Sequence, residues 1–289
     1  MPTGGRPTVR SRRLGAALRR YRLAARLDQP QAAEVIAAHQ TRVSRIETGH
    51  VIARPIEIRA MLKAYGVEDD EAREKLEALA KQSKRRGWWL EHAAHLRPDY
   101  LDHIALEDDA TYIREWQPVL VPGLLQTPAY AEAITRGSPT YIAPDRVAQL
   151  LKVRQGRQAK IEEGGSMYSA ILWEPVVAHP LVSTEVHREQ LAAVLEIAQR
   201  KNVTVQVLPF STGVLGAVTS AFSTFSFDSE PAVEAVTLEN LRGTSVLEGS
   251  EDLTAYANMY DLLRSSALAP EASIQLIRDV LRRLKEDAS

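Results

Sequence analysis

The chain has 289 residues, 45% hydrophobic and 25% charged, with a formal net charge of −1. This is ordinary globular material with room for two domains. It contains no cysteine, which excludes disulfides, thiolate catalysis and cysteine-ligated zinc. No apolar run approaches about 18 residues and the N-terminus lacks a signal-peptide core, so neither membrane insertion nor export is expected and the cytoplasm is the default location. The near-neutral total conceals an uneven distribution. Residues 1–65 hold 12 Arg and 1 Lys against 4 acidic residues, and the remainder holds 23 basic against 33 acidic. A basic head on an acidic body is the electrostatic footprint of phosphate binding.

In chain order, residues 1–13 carry RPTVRSRR, with Arg6, Arg10, Arg12 and Arg13. This stretch reads either as a flexible basic arm that follows a minor groove or phosphate backbone, or as a solvated tail. Residues 14–86 read as an all-α domain of five helices. The first runs from Leu14 to Leu27, with Leu14 and Leu18 inward. Asp28, followed by Gln31 three residues on and by Pro30 in the first turn, signals the start of a second, short helix. A break falls at Ala37 to His39. The third helix, Gln40 to Thr48, places Val43 and Ile46 on its inward face, and Gly49 closes it. That leaves Gln40, Thr41, Arg42, Ser44 and Arg45 outward or leading. Gln and Arg are the side chains whose paired groups match adenine and guanine edges, and the leading turn of a recognition helix is where bases are reached. An ordinary polar pair of helices has the same spacing; the clustered positive charge favours the DNA reader. Pro55 opens a fourth helix that ends at Gly66, and Asp69 or Asp70 caps a fifth that finishes in the basic run Lys81 to Arg86, which is either a phosphate contact or a solvated helix end.

The run from Leu14 to Gly49, with Gln29 opening the second helix and SRIETG closing the third, resembles the phage-repressor or xenobiotic-response-element class of helix-turn-helix domains. The resemblance implies a phosphate or neighbouring base contact for Gln29, and a recognition surface of Gln40, Thr41, Arg42, Ser44 and Arg45. Two positions depart from the pattern. Ala37 stands where many members have Gly, at a cost of about 1 kcal/mol if the residue is left-handed, and His39 is a weaker cap than Ser or Thr.

Residues 87–289 read as a mixed α+β domain with a small mixed sheet, so the fold class is α+β overall. Trp88 and Trp89 anchor a linker or offer a stacking platform. Leu101 to Trp116 reads as one helix. In VPGLLQTPAYAEAI, Pro122 and Gly123 form a turn, Thr127 caps and Pro128 opens a helix. Tyr168 to Trp173 is a strand, Thr184 to Lys201 an amphipathic helix and Val203 to Phe210 a β-branched strand, which together favour a parallel βαβ unit. AFSTFSFD and AVEAVTLE alternate as an antiparallel hairpin. Asp252 to Ser265 and Ala272 to Lys285 are closing helices that form a dimer interface or cover the sheet.

An enzymatic site is conceivable from Glu115, Glu174 and Glu239 with His179 and His187, but the chain has no HExxH, GxSxG, Walker-type loop or dinucleotide fingerprint. His92 and His95 are weak zinc evidence. No catalysis, metal or cofactor is expected. Tyr112, Trp116, Trp173 and Glu174, with the Ser211 to Ser220 loop, are a possible ligand or partner site, which leaves a small-molecule sensor as the alternative function.

PGLLQTPAYA at Pro122 to Ala131, the preceding Glu115 and Trp116, RQGRQ at Arg154 to Gln158, and the run from Gln190 to Phe210 are similar to the C-terminal domain of an actinobacterial group of antitoxin-like, WhiJ-like transcriptional regulators. The resemblance covers about residues 14 to 285. It implies a cytoplasmic, nucleoid-associated regulator that binds a double-stranded, pseudo-palindromic DNA operator, with no membrane partner. It further implies a small acidic partner protein encoded nearby that relieves or redirects binding. Reading a pseudo-palindrome also implies a homodimer.

Overall fold

The computed structural model describes residues 7–83, 87–138, 142–227, 232–240 and 243–286, and the chain divides into two compact units, Met1–Leu90 and Glu91–Ser289. The first unit contains helices α1 (Val9–Ala24), α2 (Gln29–Val35), α3 (Gln40–Glu47), α4 (Pro55–Ala64) and α5 (Asp70–Gln82).

Helix α1 begins earlier than the apolar pattern suggested, and this corrects the flexible arm over residues 7–13. Thr8 caps it, its hydroxyl oxygen accepting from the Ser11 amide at 3.1 Å, and Val9 is buried. Arg10, Arg12 and Arg13 therefore stand on a helix. Arg10 is 7% exposed, with its guanidinium 5.4 Å from the centre of the Trp89 ring. Arg6, and Lys84 to Arg86 of the second basic run, lie outside the described residues.

Helix α2 starts at the expected capping box. The Asp28 carboxylate accepts from the Gln31 amide and the Gln31 side-chain oxygen accepts from the Asp28 amide, both at 2.8 Å. The break after α2 is left-handed at Ala37, with φ +48°. His39 caps α3 through its Nδ1, which accepts from the Thr41 amide at 3.3 Å. The core joins Leu14 and Leu18 of α1 to Val43 and Ile46 of α3 and to Ile58 and Leu62 of α4. Two glycines let α1 and the end of α3 touch backbone to backbone. A Cβ on Gly15 would lie 2.3 Å from the Ile46 carbonyl oxygen and 2.5 Å from that of Glu47. Gly49, at φ +75°, has the Arg12 backbone nitrogen 2.8 Å from the position of its missing Cβ.

The second unit is built on a sheet of order β3-β2-β1-β4-β5-β6, with β1 (Tyr112–Gln117), β2 (Met167–Trp173), β3 (Val203–Leu208), β4 (Phe222–Ser226), β5 (Ala235–Asn240) and β6 (Gly243–Leu247). β1, β2 and β3 run parallel, and β4, β5 and β6 are joined to them and to one another antiparallel. The helices are α6 (Pro98–Asp109), α7 (Pro128–Arg136), α8 (Pro144–Gln158), α9 (Glu174–Ala178), α10 (Thr184–Ile197), α11 (Val214–Val218), α12 (Ser250–Ser266) and α13 (Pro270–Glu286).

The parallel β2–α10–β3 unit and the β4–β5 hairpin lie where the pattern places them. The single helix expected over Leu101 to Trp116 does not form: α6 stops at Asp109 and Tyr112–Gln117 becomes β1, the strand shared by the parallel and antiparallel halves. Ile113 and Trp116 are both buried although they face opposite sides of the sheet, so the segment shows no polar alternation to betray a strand. On one face Trp116, Ile171, Leu208, Phe222 and Val236 pack under Tyr260 and Leu263 of α12. The Ser273 hydroxyl of α13 accepts from the Val207 amide at 2.9 Å, and the Leu268 amide donates to the Val207 carbonyl at 2.9 Å. The α12–α13 segment thus seals the β3 edge, as an exposed strand edge requires.

Gly15→Ala should lower stability by about 1–2 kcal/mol, because overpacking against two carbonyls outweighs the better helix propensity of Ala. Urea unfolding monitored by circular dichroism tests this; a more stable variant would mean that α1 and α3 are free to separate.

Candidate nucleic-acid interface

The outward face of α3 is held by a chain of hydrogen bonds that starts in the core. The buried Arg22 guanidinium donates to both oxygens of Glu47, at 2.6 Å from Nε and 3.0 Å from Nη2, and to the Leu27 carbonyl at 2.7 Å. The bond from Glu47 raises the Arg22 pKa further, against the effect of burial. The second Glu47 oxygen also accepts from the Gln29 amide group at 3.0 Å, and the Gln29 oxygen accepts from Gln40 Nε2 at 3.4 Å. Three helices are thereby tied to the first residue of α3. Gln40, Thr41 and Arg45 are exposed and Ser44 is half-buried, so they present two amide or guanidinium forks and two hydroxyls on the leading turns. Gln29, at the start of α2, is thus linked to Gln40, at the start of α3, on the side where the resemblance implies a phosphate or neighbouring base contact.

Arg42 departs from the expected surface. Its Nε and Nη2 donate to the two oxygens of Glu57 on α4, at 2.8 and 2.9 Å. Glu57 also accepts from the Arg54 side chain at 2.9 Å and from the Arg54 amide at 2.7 Å. Burial pushes the Glu57 carboxyl up, but the bonds from Arg42 and Arg54 prevail and hold it at about 2. Sequence reasoning missed Arg22, Glu47 and Glu57. The available signal was a carboxylate, Glu47, placed beside Val43 and Ile46 on the inward face of α3, where an unpaired charge cannot stay.

In the second unit, a cluster of charged residues lies on the sheet face opposite α12. Arg157 of α8 donates to both oxygens of Glu107 on α6 at 2.8 and 2.7 Å, and to the Tyr100 hydroxyl at 2.6 Å. Its Nη2 also lies 3.1 Å from His103 Nε2. His103 Nδ1 is 3.0 Å from the Thr237 hydroxyl. Burial works against the Glu107 charge, and the Arg157 guanidinium brings its carboxyl down to about 2. Beside this cluster Glu115 accepts from the Tyr168 hydroxyl at 2.7 Å and from Gln117 at 2.9 Å. Burial raises the Glu115 pKa despite these bonds, with the nearby Glu239 charge adding to the rise.

A family profile described as "Domain of unknown function (DUF5753)" matches residues 100–279, and one described as "Helix-turn-helix domain" matches residues 13–76. The chain belongs to the DUF5753 family. No curated protein and no solved structure was found to match it. The helix-turn-helix is of the xenobiotic-response-element type, and the chain is a DNA-binding regulator.

Within the DUF5753 domain the structure gathers Trp116, Trp173 and Glu174 about the segment from Phe210 to Thr219 and leaves Tyr112 apart from them. Trp116 is 0% exposed and its indole nitrogen donates to the Thr219 carbonyl at 2.9 Å, so it is core. Tyr112 pairs in register with Met167, at the start of β2, whereas Trp173 ends that strand, a separation of about 20 Å at the rise of a β-strand. Tyr112 lies under the Arg114 guanidinium, and Trp173 stacks on Phe210, with ring centres 5.6 Å apart. Glu174 accepts from the Phe210 amide at 2.7 Å and opens α9 beyond the end of β2, whereas Glu115 pairs in register with Ala170 inside that strand. Glu174 is therefore apart from Glu115, which has the Glu239 charge near it. His187 is a core residue bonded to the Val177 carbonyl at 2.9 Å, and His92 lies 3.0 Å from Gln149. No group of three or more potential metal ligands occurs among the described residues.

Two outcomes follow from these ion pairs. Free Glu titrates near about 4.3, so Glu57, held near 2, adds stability that is complete above about pH 4.5 and is lost as the pH falls through its folded value. The advantage of the wild type over Glu57→Gln in urea midpoint should vanish between those limits, and a constant difference would remove the carboxylate from the account. Arg157→Met should cost about 3–5 kcal/mol by stranding Glu107, measured as a fall in the thermal midpoint; a loss below about 1 kcal/mol, the range of an exposed pair, would show that the pair is solvated.

Proposed function

We propose that this DNA-binding regulator is a homodimer that reads a pseudo-palindromic, double-stranded operator, and that its DUF5753 domain receives the regulatory signal. The observation that carries the DNA-reading half is the exposed set Gln40, Thr41 and Arg45, with half-buried Ser44 beside them, on one helix, with Gln40 preset by the Gln29–Glu47–Arg22 chain. Preset donors lose little entropy on binding and match the fixed pattern of base edges in the major groove. The dimer follows from reach: a helix of 8 residues covers only a few base pairs, and two heads on a two-fold site raise affinity and specificity together.

The signal, on this proposal, is a small acidic protein encoded nearby, as in the antitoxin-like, WhiJ-like actinobacterial regulators that the PGLLQTPAYA and RQGRQ motifs resemble. The alternative is a small-molecule sensor, and its site would lie outside the buried Arg157 cluster, which Glu107, Tyr100 and His103 close. Catalysis is not part of the proposal. A cytoplasmic, nucleoid-associated location suits a DNA-bound protein, and no helix among the described residues is long and apolar enough to cross a membrane.

The test is fluorescence anisotropy of the full chain with the DNA upstream of its own gene and with a scrambled duplex, each at two salt concentrations. The native sequence should bind more tightly and keep its advantage at higher salt. Gln40→Ala and Arg45→Ala should each reduce that advantage by about 1–3 kcal/mol while leaving scrambled-DNA binding nearly unchanged for Gln40→Ala. Undiminished discrimination in both variants would move the reading surface off α3.

A further inference from the structure

We propose that Glu57 is a specificity-determining residue of the DNA interface, acting by holding the Arg42 guanidinium on the flank of α3 and out of the major groove. This rests on the DNA-reading role of α3 argued above. The contacts of α3 define its two flanks. Gln40 touches Gln29 on the α2 side, Arg42 touches Glu57 on the α4 side, and the exposed Thr41 and Arg45 lie between them. Arg42 is close enough to the reading face to serve it, with a side chain 33% exposed. The reach of an arginine from a flank of a recognition helix is sufficient for a base edge or a phosphate.

What prevents this is the geometry of the fork. The two nitrogens that take a guanine O6 and N7 are the same kind of pair that takes a carboxylate side by side. Arg42 has both Nε and Nη2 committed to Glu57 at 2.8 and 2.9 Å. The carboxylate is the more demanding partner, because the Glu57 side chain is only 3% exposed and a buried carboxylate that loses a cation is costly. Arg54, 65% exposed, is bound to the same carboxylate, through both its side chain and its amide. Glu57 thus withholds one potential base reader, and it also offsets positive charge beside the phosphates. Removing that carboxylate should change sequence preference and salt dependence together, a combination that a merely structural tie would not produce.

The experiment is selection of sequences from a pool of DNA duplexes with a randomised centre by the full-length wild type, Arg42→Ala, Glu57→Gln and the double variant, followed by anisotropy titrations on one scrambled duplex over a range of salt. The wild type and Arg42→Ala should enrich the same consensus. Glu57→Gln should enrich guanine at a position that the wild type leaves unspecified, and bind the scrambled duplex about tenfold more tightly, with a salt slope steeper by about 0.9 for each cation released to a phosphate. The double variant should lose the new preference. Loss of the wild-type consensus in Arg42→Ala, or an unchanged consensus and slope in Glu57→Gln, would overturn the proposal. If Glu57→Gln does not fold, Arg42→Gln, which keeps an amide donor for the buried Glu57 carboxylate, decides: a retained consensus supports the restraint and a lost one defeats it. A wild type that enriches no sequence defeats the DNA-reading role itself, a failure distinct from an unaltered Glu57→Gln.

Discussion

The bidentate bond between Arg22 and Glu47 is the interaction on which the DNA-facing end of the molecule depends. A buried ion pair is not an efficient source of stability, since two desolvated charges repay their cost only with good geometry and further hydrogen bonds. Here both conditions are met, because the guanidinium also reaches the Leu27 carbonyl and the carboxylate also takes Gln29. Apolar residues of the same volume would fill the space and leave Gln29 without a partner. The gain is therefore positional: the distance from the end of α3 to the start of α2 is fixed by bonds rather than by packing, and Gln40 inherits the constraint. Gly15 and Gly49 make it geometrically possible, since any side chain at either position would hold α1 away from the end of α3 that carries Glu47.

The DUF5753 domain uses the same physics for a different end. Its sheet is covered by apolar packing on the α12 face and by a hydrogen-bonded cluster on the other. The His103 ring bridges the cluster to the sheet, with Nε2 3.1 Å from the Arg157 guanidinium and Nδ1 3.0 Å from the Thr237 hydroxyl. The cluster fixes α6, α8 and β5 relative to one another. It also places the PGLLQT turn, because Gly123 lies against the Arg157 guanidinium and Gln126 is held by Arg154 and Gln158. The two sequence motifs of this domain are thus the two sides of one contact.

Legibility in the sequence follows the locality of each signal. The helix-turn-helix was readable because caps, proline positions and the spacing of Val43 and Ile46 act within a few residues. The left-handed Ala37 was readable because the chain has to turn there. β1 was not, for its strand state is imposed by neighbours on both edges and both faces, and a helical apolar spacing continued into it from α6. β6 is only 5 residues long and gave no pattern. The roles of Arg42 and Glu57 were hidden for a related reason: they lie 15 residues apart on different helices, so each reads alone as a surface charge, Arg42 on an outward helix face and Glu57 in the first turn of another helix.

Pairing also changes what the basic head means electrostatically. A charge count treats all N-terminal arginines as equal, but counterion release depends on cations that can approach phosphates. Arg22, Arg42 and Arg54 are engaged by the two buried carboxylates Glu47 and Glu57, Arg10 is buried against Trp89, and Arg59 pairs with Glu77. The exposed cations are led by Arg19, Arg20, Arg26 and Arg45, and only the last is on α3. Among the described arginines, exposed charge thus sits on α1 and the turn after it as well as on the reading helix. A substitution at Arg19, Arg20 or Arg26 would therefore change that charge without touching any residue of α3.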